Sequence, residues 1–388
     1  MTEEQGVITL DESLWQELLE LTHGAAAPCF QCGVCTAICP WGEARENGFS
    51  VRAILRAAQL GSLQELEPLW LCSACLQCEA SCPRGVKISE VMRSLRYLLW
   101  RRRTHLHTLP AVLWSCYWNN NPLGQPPSAR MAWAADLDLP EFDPAQHEWL
   151  IYIGCTASYD RRAQEVARAA VQVLRAGGVS FGLLGVAEPC CGESVLRLGH
   201  SPFFVDLARQ AITTFEQHGV RRMVVLSPHC FDVFTHHYPA LGAEIEIQHI
   251  TQYLASMIEE GKLHFSEGGL NRITYHDPCL LGRGHDEYEA PRRILSAIPG
   301  IELLPMDPER EQGLCCGGGG GRMYLETPPG ERFADIRVQQ ALKTGAEILA
   351  TACPLCISCL DDSMKVVDGD RLPVMDVIEI AAQHLEIA

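Results

Sequence analysis

Two runs of four cysteines with the same spacing dominate the first hundred residues. They read Cys29-x2-Cys32-x2-Cys35-x3-Cys39 and Cys72-x2-Cys75-x2-Cys78-x3-Cys82, each closed by a proline, Pro40 and Pro83. Loops this short strain the geometry of a disulfide, so the thiols are not there to pair with each other. The spacing matches the bacterial two-cluster run, in which three close cysteines grip one [4Fe–4S] cubane and the fourth crosses to the other. On that pattern Cys29, Cys32, Cys35 and Cys82 hold one cubane, and Cys72, Cys75, Cys78 and Cys39 hold its neighbour. Structural zinc also uses Cys-x2-Cys pairs, but two complete runs, each ending in proline, fit it poorly.

The chain has 388 residues, 47% of them hydrophobic, which is enough for two or three domains with cores of their own. Its 19 cysteines are an odd number, so a complete disulfide set is impossible. The first residues are acidic, Glu3 and Glu4, and Leu10, Leu14, Leu18 and Leu19 recur at helical spacing. That is not the charged start and apolar run of a secretion signal, and a reducing cytoplasm is the expected compartment. A formal charge of -17 argues against nucleic acid or an anionic membrane surface as the main partner. No stretch approaches the roughly 20 apolar residues of a membrane span, so attachment to a membrane is expected only through another protein of the same complex.

Residues 1–110 are expected to be helical around the two cysteine loops. Ser50 is placed to cap a helix with Val51, Ile54, Leu55 and Ala58 on one side, and a second helix runs from Ile88 through Val91, Leu95 and Leu98. Residues 111–147, rich in Asn, Pro and Gly, read as a linker. Beyond them the period changes. Short apolar runs at Trp149–Ile153, Arg222–Leu226, Arg272–Tyr275 and Ile348–Ala350 alternate with helical stretches at Asp160–Leu174, Phe203–Gln217 and Phe333–Lys343. This predicts a multidomain chain whose second half is α/β with mostly parallel sheets.

That half repeats itself. Cys155 lies 124 residues before Cys279, the Cys190-Cys191-Gly192 triplet 125 before Cys315-Cys316-Gly317, and Cys230 126 before Cys356. Two modules are therefore expected, at 148–266 and 267–388. The second gathers Cys279, Cys315, Cys316, Cys353 and Cys356, one soft ligand more than a closed cubane or tetrahedral zinc needs. The first keeps Cys155, Cys190, Cys191 and Cys230, with Ser227 at the position of Cys353. A hydroxyl is a poor soft-metal ligand, which leaves zinc, a modified cluster or no metal as the readings of that site, and a degraded site is the expectation.

The run WLCSACLQCEASCPRGVKISEVMRSLRYLL, with HDPCLLGR at His276–Arg283, CCGGGGGR at Cys315–Arg322 and CPLC at Cys353–Cys356, resembles the heterodisulfide reductase catalytic-subunit family. The likeness is to its fused form, a two-cubane ferredoxin domain followed by two CCG domains. It implies a noncubane [4Fe–4S] cluster on Cys279, Cys315, Cys316, Cys353 and Cys356, where a disulfide is split reductively. It also implies redox partners (a flavoprotein, a ferredoxin-like protein or a cytochrome) in a hetero-oligomer. The leading expectation is an electron-transfer subunit. The alternatives are a disulfide or thiol reductase in its own right, or the iron–sulfur component of a flavin-linked 2-hydroxy acid or glycerol-3-phosphate dehydrogenase.

Among the remaining residues, His276 and Asp277 are candidate catalytic proton donors, with His229 and His285 behind them; the alternative is that they hydrogen-bond cluster sulfurs or loop backbone. Gly317–Gly321 lacks the Lys-Ser/Thr of a phosphate loop and is better explained by close backbone approach to a cluster. Arg101–Arg103 with Trp100, Trp114, Tyr117 and Trp118 form either a docking face or a solvated helix end with core aromatics. Cys116 reads as a small buried apolar residue, and Cys359 as that or a spare ligand. No flavin or nicotinamide motif is present. Two cubanes require at least about eight irons per chain, to be counted by elemental analysis of anaerobically purified protein. A colourless preparation without iron or acid-labile sulfide would contradict the reading from the first cysteine onward.

Overall fold

Among the described residues, eight short strands form two sheets of four, and every pairing within them is parallel. In the first sheet, β1 (Trp149–Tyr152), β2 (Phe181–Gly182), β3 (Arg222–Val225) and β4 (Glu246–His249) lie in the order β2-β1-β3-β4. The second repeats the arrangement with β5 (Asn271–His276), β6 (Ile301–Leu304), β7 (Ile348–Thr351) and β8 (Val374–Asp376) in the order β6-β5-β7-β8. This computed structural model describes residues 12–45, 49–62, 68–104, 106, 108–266, 271–328, 330–369 and 371–386. Glu3, Glu4 and Leu10, and the start of the second module at 267, lie outside them.

Parallel strands need crossover connections, and helices supply them here. Asp160 caps the helix Arg161–Ala176 by accepting from Ala163 N at 2.9 Å, and Ser201–Gln217 and Phe333–Lys343 cover their sheets in the same way. The central strands bury both faces: all four residues of β1 are buried, as are the last three of β3 and of β7. In the order β2-β1-β3-β4 the chain leaves β1 on one side and returns on the other. The crevice beyond the carboxyl ends of the two central strands is therefore open to a ligand.

The N-terminal part is helical. Ser50 accepts from Ala53 N at 3.1 Å and starts the helix Val51–Gln59, which packs with Glu12–Leu21 and Ile88–Arg101 around Leu14, Leu18, Ile54, Leu55, Val91 and Leu95. Residues 111–147 are packed closely onto the first module. They begin inside a helix, Leu109–Asn119, and bury Trp133, Phe142 and Arg130. Phe142 N donates to Leu183 O beside the edge strand β2.

Arginines help join the parts. Arg162 donates to both carboxylate oxygens of Glu379 at 2.8 and 2.9 Å and to Val374 O at 2.6 Å, tying the first module to the second. Arg96, fully buried, donates to Leu69 O and Cys72 O in the helical part at 3.1 and 2.7 Å, to Arg197 O in the first module at 2.7 Å, and to Gly320 O in the second at 2.7 Å. Replacing it by methionine leaves four carbonyls without these donors. The Arg96→Met variant is expected to lose about 3 kcal/mol of stability and to be cleaved faster by protease. Melting indistinguishable from the parent's would refute the role given to this side chain.

Candidate functional site

The two N-terminal cysteine loops have matching backbones. Gln31 and Ala74, just before the second cysteine of each run, both adopt left-handed φ, 64° and 53°, and Gly33 and Leu76, just after it, do so at 90° and 66°. These conformations are unfavourable for side chains other than glycine and persist only where the surroundings enforce them. They fold each loop back so that three thiols face one point. Cys29, Cys32, Cys35 and Cys82 line one cavity. Burial pushes the Cys39 thiol up to about 12, and the neighbouring thiolates that add to this are Cys75 and Cys72 ahead of Cys35. The fourth cysteine of each run thus stands with the other run's three.

In both α/β modules the thiols gather at the carboxyl ends of the strands. Cys155 and Cys279 follow the first strand of each sheet, the Cys-Cys-Gly triplets lie in the loops after the second, and Cys230 and Cys356 lie on the helix after the third. The glycine of each triplet is needed. Gly192 and Gly317 take φ of 78° and 86°, and their amides donate back to Cys190 Sγ and Cys315 Sγ at 3.4 and 3.2 Å. In the second module Cys315 Sγ is 3.7 Å from Cys279 Sγ and Cys356 Sγ is 3.4 Å from Cys316 Sγ. Cys353 hydrogen-bonds Cys356, so five buried thiols form one connected group, and Cys359 adds a sixth beside Cys316.

Cys353 also serves as the N-cap of helix Pro354–Asp368, accepting from Cys356 N. Ser227 holds the same place before helix Pro228–His236 and accepts from His229 N at 3.3 Å. Serine is a good cap and a poor soft ligand, so the substitution keeps the helix start and gives up a thiolate.

The thiol sites converge on one seam. Cβ atoms on Gly319 and Gly320 would run into the backbone carbonyls of Ser73 and Cys72, the former at 2.6 Å, so the glycine run lies backbone to backbone against the second N-terminal loop. Arg283 Nε donates to Cys75 O at 2.7 Å from the helix that begins at Cys279. His229 of the first module hydrogen-bonds the Cys353 thiol of the second, while its Nδ1 is 2.9 Å from Glu193 Oε1. Burial opposes charge on His229, but Glu193 and Cys353 outweigh it and hold the ring protonated. Burial likewise opposes a Cys353 thiolate, and hydrogen bonds from Cys356 and His229 overcome it, leaving this thiol below its ordinary value.

His276 is fully buried, and its donor atom and the thiols of Cys316 and Cys356 all lie within 4.8 Å of one another. Burial, then Arg337 and Arg283, depress its pKa, so the ring is neutral. Its Nδ1 accepts from Arg337 Nε at 3.1 Å, which puts the proton on Nε2. Asp277 instead grips Arg292 through both oxygens, at 2.6 and 3.0 Å, and accepts from Arg310 N. His285 stacks on His236 beside Asp232, whose ion pair with Arg197 already supplies a cation there. Trp114, Tyr117 and Trp118 are exposed, whereas Trp100 Nε1 donates to Leu198 O and Arg101 and Arg102 pair with Glu17. Sequence reasoning missed Arg96, Arg283, Glu193 and Arg337. Of these, Arg283 ends the HDPCLLGR motif and Arg96 lies near the end of the WLCSACLQCEASCPRGVKISEVMRSLRYLL run.

Among the described residues no helix is long and apolar enough to cross a membrane. A family model described as a 4Fe-4S dicluster domain matches residues 25–86, and one described as a cysteine-rich domain, CCG, matches residues 149–235 and 273–361. The chain is 34% identical over 336 residues to the probable iron-sulfur-binding oxidoreductase FadF of Bacillus subtilis, covering 84% of this chain and 48% of that protein. It is 30% identical to the EtfAB:quinone oxidoreductase of Syntrophomonas wolfei, over 98% of this chain and 60% of the relative. Against a polypeptide of the dihydromethanophenazine:CoB–CoM heterodisulfide reductase of Methanosarcina barkeri, the identity is 30% over 93% of this chain and 94% of that polypeptide. The chain thus spans about half to three fifths of the length of the first two relatives and nearly all of the third.

A side chain at position 320 meets the Cys72 carbonyl from a backbone already at φ 62°. Gly320→Ala is expected to leave the absorbance of the N-terminal clusters in place while slowing electron exchange between them and the second module at least about tenfold, followed by rapid-mixing spectroscopy. Unchanged exchange would show that this contact is not the junction.

Proposed function

This chain belongs to the family of iron–sulfur oxidoreductase subunits that includes the heterodisulfide reductase polypeptide it matches almost end to end, and from that premise we propose that it relays electrons between a redox partner at its exposed first cysteine loop and the buried five-thiol site of its second module. An electron-transfer role and [4Fe–4S] clusters follow from the family. The ligand sets are the proposal. Cys29, Cys32, Cys35 and Cys82 would hold one cubane, Cys72, Cys75, Cys78 and Cys39 the second, and Cys279, Cys315, Cys316, Cys353 and Cys356 a noncubane cluster. When bound, such clusters supply reversible one-electron carriers and, at the five-thiol site, a place where a disulfide sulfur can be taken up.

The observation that carries the reading is a step from exposed to buried thiols joined by backbone contacts. Cys32 is exposed, with exposed Phe30, Val34 and Ile38 around it, whereas Cys75 and the five thiols of the second module are buried. Arg283 and the Gly317–Gly321 run clasp the Cys72–Cys75 loop against that last site. The chain's own residues do three things. Arg96 and Arg283 fix the loops relative to one another, the left-handed turns point the thiols inward, and the surrounding core excludes water.

The alternative, a disulfide reductase in its own right, is favoured by one arrangement. His229, held protonated by Glu193, sits at the Cys353 thiol, and the buried neutral ring of His276 lies within 4.8 Å of the Cys316 and Cys356 thiols. Splitting a disulfide takes two electrons and two protons to give two thiols; protonated His229 is placed to give one at Cys353, and the second would come from the bound substrate's surroundings or solvent. Asp277, bound by Arg292 and Arg310, positions its loop in this reading. The relatives' names, a heterodisulfide reductase and a quinone oxidoreductase, support other redox proteins as partners. A flavoprotein, a ferredoxin-like protein or a cytochrome in a hetero-oligomer is proposed on that basis, with the boundaries at 110, 147 and 266 as its domain plan.

Cys316→Ser tests the assignment. The variant is expected to lose about four irons while the N-terminal clusters keep their spectra, and dithionite-reduced variant protein should no longer be reoxidised by a small disulfide. A variant with full iron content would remove the second module from the relay. Intact disulfide reduction by the variant would remove the reductase reading alone.

A further inference from the structure

Beside the second module's thiol site lies a cavity of about 510 Å³, large enough for a small organic molecule, and one thiol on its wall belongs to none of the ligand sets assigned above. We propose that this thiol, Cys359, is a catalytic residue that opens an incoming organic disulfide, and that Arg322, on the same wall, holds an oxyanion of that disulfide (a carboxylate, sulfonate or phosphate). This role rests on the reading of the second module as one end of the relay.

Contacts from two elements fix the position of Cys359. Helix Pro354–Asp368 carries Cys356 and, one turn later, Cys359. Cys356 Sγ faces Cys316 Sγ at 3.4 Å, and the Cys359 thiol hydrogen-bonds Cys316. A Cβ on Gly318 would come within 2.6 Å of Cys359 Sγ, so the turn after the Cys-Cys-Gly triplet packs directly on this sulfur. Cys316 and Cys359 both line the cavity. The five thiols assigned to the cluster are buried, whereas Cys359 is partly exposed. Buried structural thiols are inert and reactive ones are reached from solvent, and of these six only Cys359 is of the second kind.

Two polar groups on the wall point to a ligand. Arg322 is buried and forms no ion pair with a carboxylate among the described residues; its guanidinium lies over the Trp41 ring, 5.6 Å from the centroid, and Nη2 donates to the Thr327 hydroxyl. The other charged side chains of the wall are paired or exposed: Arg332 meets Asp362 at 2.6 Å, Glu331 meets Arg45 at 3.2 Å, and Glu326 is in solvent. A buried guanidinium without a counter-charge is costly, and an oxyanion in the cavity supplies one. Ser363, one turn beyond Cys359, is 1% exposed, and its hydroxyl has no hydrogen-bond partner among the described residues. It lines the same cavity. Trp41 and Phe333, edge to face at 4.8 Å, give the apolar surface against which a carbon chain can lie.

The chemistry balances in two steps. The Cys359 sulfur attacks R–S–S–R′; its bond to the R-bearing sulfur forms, the S–S bond breaks, and the leaving R′S⁻ takes up the proton that Cys359 gave up. Two electrons delivered through the relay, with two protons, then cleave the mixed disulfide to RSH and the Cys359 thiol. One disulfide, two electrons and two protons have become two thiols.

The first step needs no reductant, so it is tested in the full chain, purified anaerobically with its clusters and kept free of dithionite. Dithiodipropionate, a dicarboxylate, and the neutral hydroxyethyl disulfide are each added in excess, and adducts are located by peptide mass spectrometry after acid quenching. Unmutated protein is expected to take a single adduct, on Cys359, and to react at least about tenfold faster with the dicarboxylate than with the neutral probe. Cys359→Ser should keep all its iron yet form no adduct. Arg322→Gln should abolish the preference for the dicarboxylate, and Arg322→Lys should restore part of it. An adduct on another cysteine, no adduct, equal rates with the two probes, or loss of iron from a folded Cys359→Ser protein would each overturn the proposal. Adduct position and probe preference in unmutated protein decide the question if a variant fails to fold. Because the trapping step uses no electrons, its outcome is separate from full iron in Cys316→Ser, which removes the second module from the relay.

Discussion

The Arg96 guanidinium is the constraint on which the rest of the molecule is arranged. It is a buried cation that pairs with no carboxylate among the described residues, and its donors go to carbonyl oxygens from three parts of the chain. Burial lowers its pKa to about 10, with Arg322 and Arg197 adding to the effect, and the nearby anion that opposes this is the Cys72 thiolate. Desolvating an arginine without a counter-charge costs several kcal/mol, and here four carbonyl acceptors and the Trp70 face beneath the guanidinium offset it. The same four bonds hold the second N-terminal loop and both modules in one arrangement.

Parallel sheet topology accounts for the remaining placement. A sheet ordered β2-β1-β3-β4 opens a crevice at the carboxyl ends of β1 and β3, and the same holds for β5 and β7. Loops there are free to carry thiols because the strands beneath bury their hydrogen bonds in the ladder. The Cys-Cys-Gly triplet follows from this position. Two adjacent cysteines must turn toward one point while the chain leaves for a helix, and a left-handed residue immediately after them makes that turn.

The parts legible in the sequence were those with a periodic or spaced signal. The four apolar runs read as strands became β1, β3, β5 and β7, the central strands of the two sheets. The four strands not read, β2, β4, β6 and β8, are the edges. Central parallel strands are buried on both faces and show up as continuous apolar runs, whereas Glu246–His249 and Ile301–Leu304 are largely half-exposed and carry no such run. The cysteine repeat disclosed the thiol sets of the modules. It did not disclose Arg96 or Glu193, whose roles depend on which surfaces meet. The glycine run at 317–321 was read as an approach to a cluster; that Gly319 and Gly320 lie against the backbone of the Cys72–Ser73 loop was not legible.

The seam also gives the first module a part in the second module's site. His229, which reaches Cys353, is on the first module, two residues beyond Ser227, and its partner Glu193 opens the helix that follows the first Cys-Cys-Gly triplet. In return Tyr324 and Leu355 of the second module line the cavity of the first, and the Tyr324 hydroxyl meets Ser194 Oγ at 2.8 Å. Neither crevice is closed by its own module. Ser227 can lose its thiol because the helix it caps still presents His229 at the right angle, and a serine cap holds that helix start as well as a cysteine does. A change that disturbed the cap would therefore damage the second module's site before it damaged the first's.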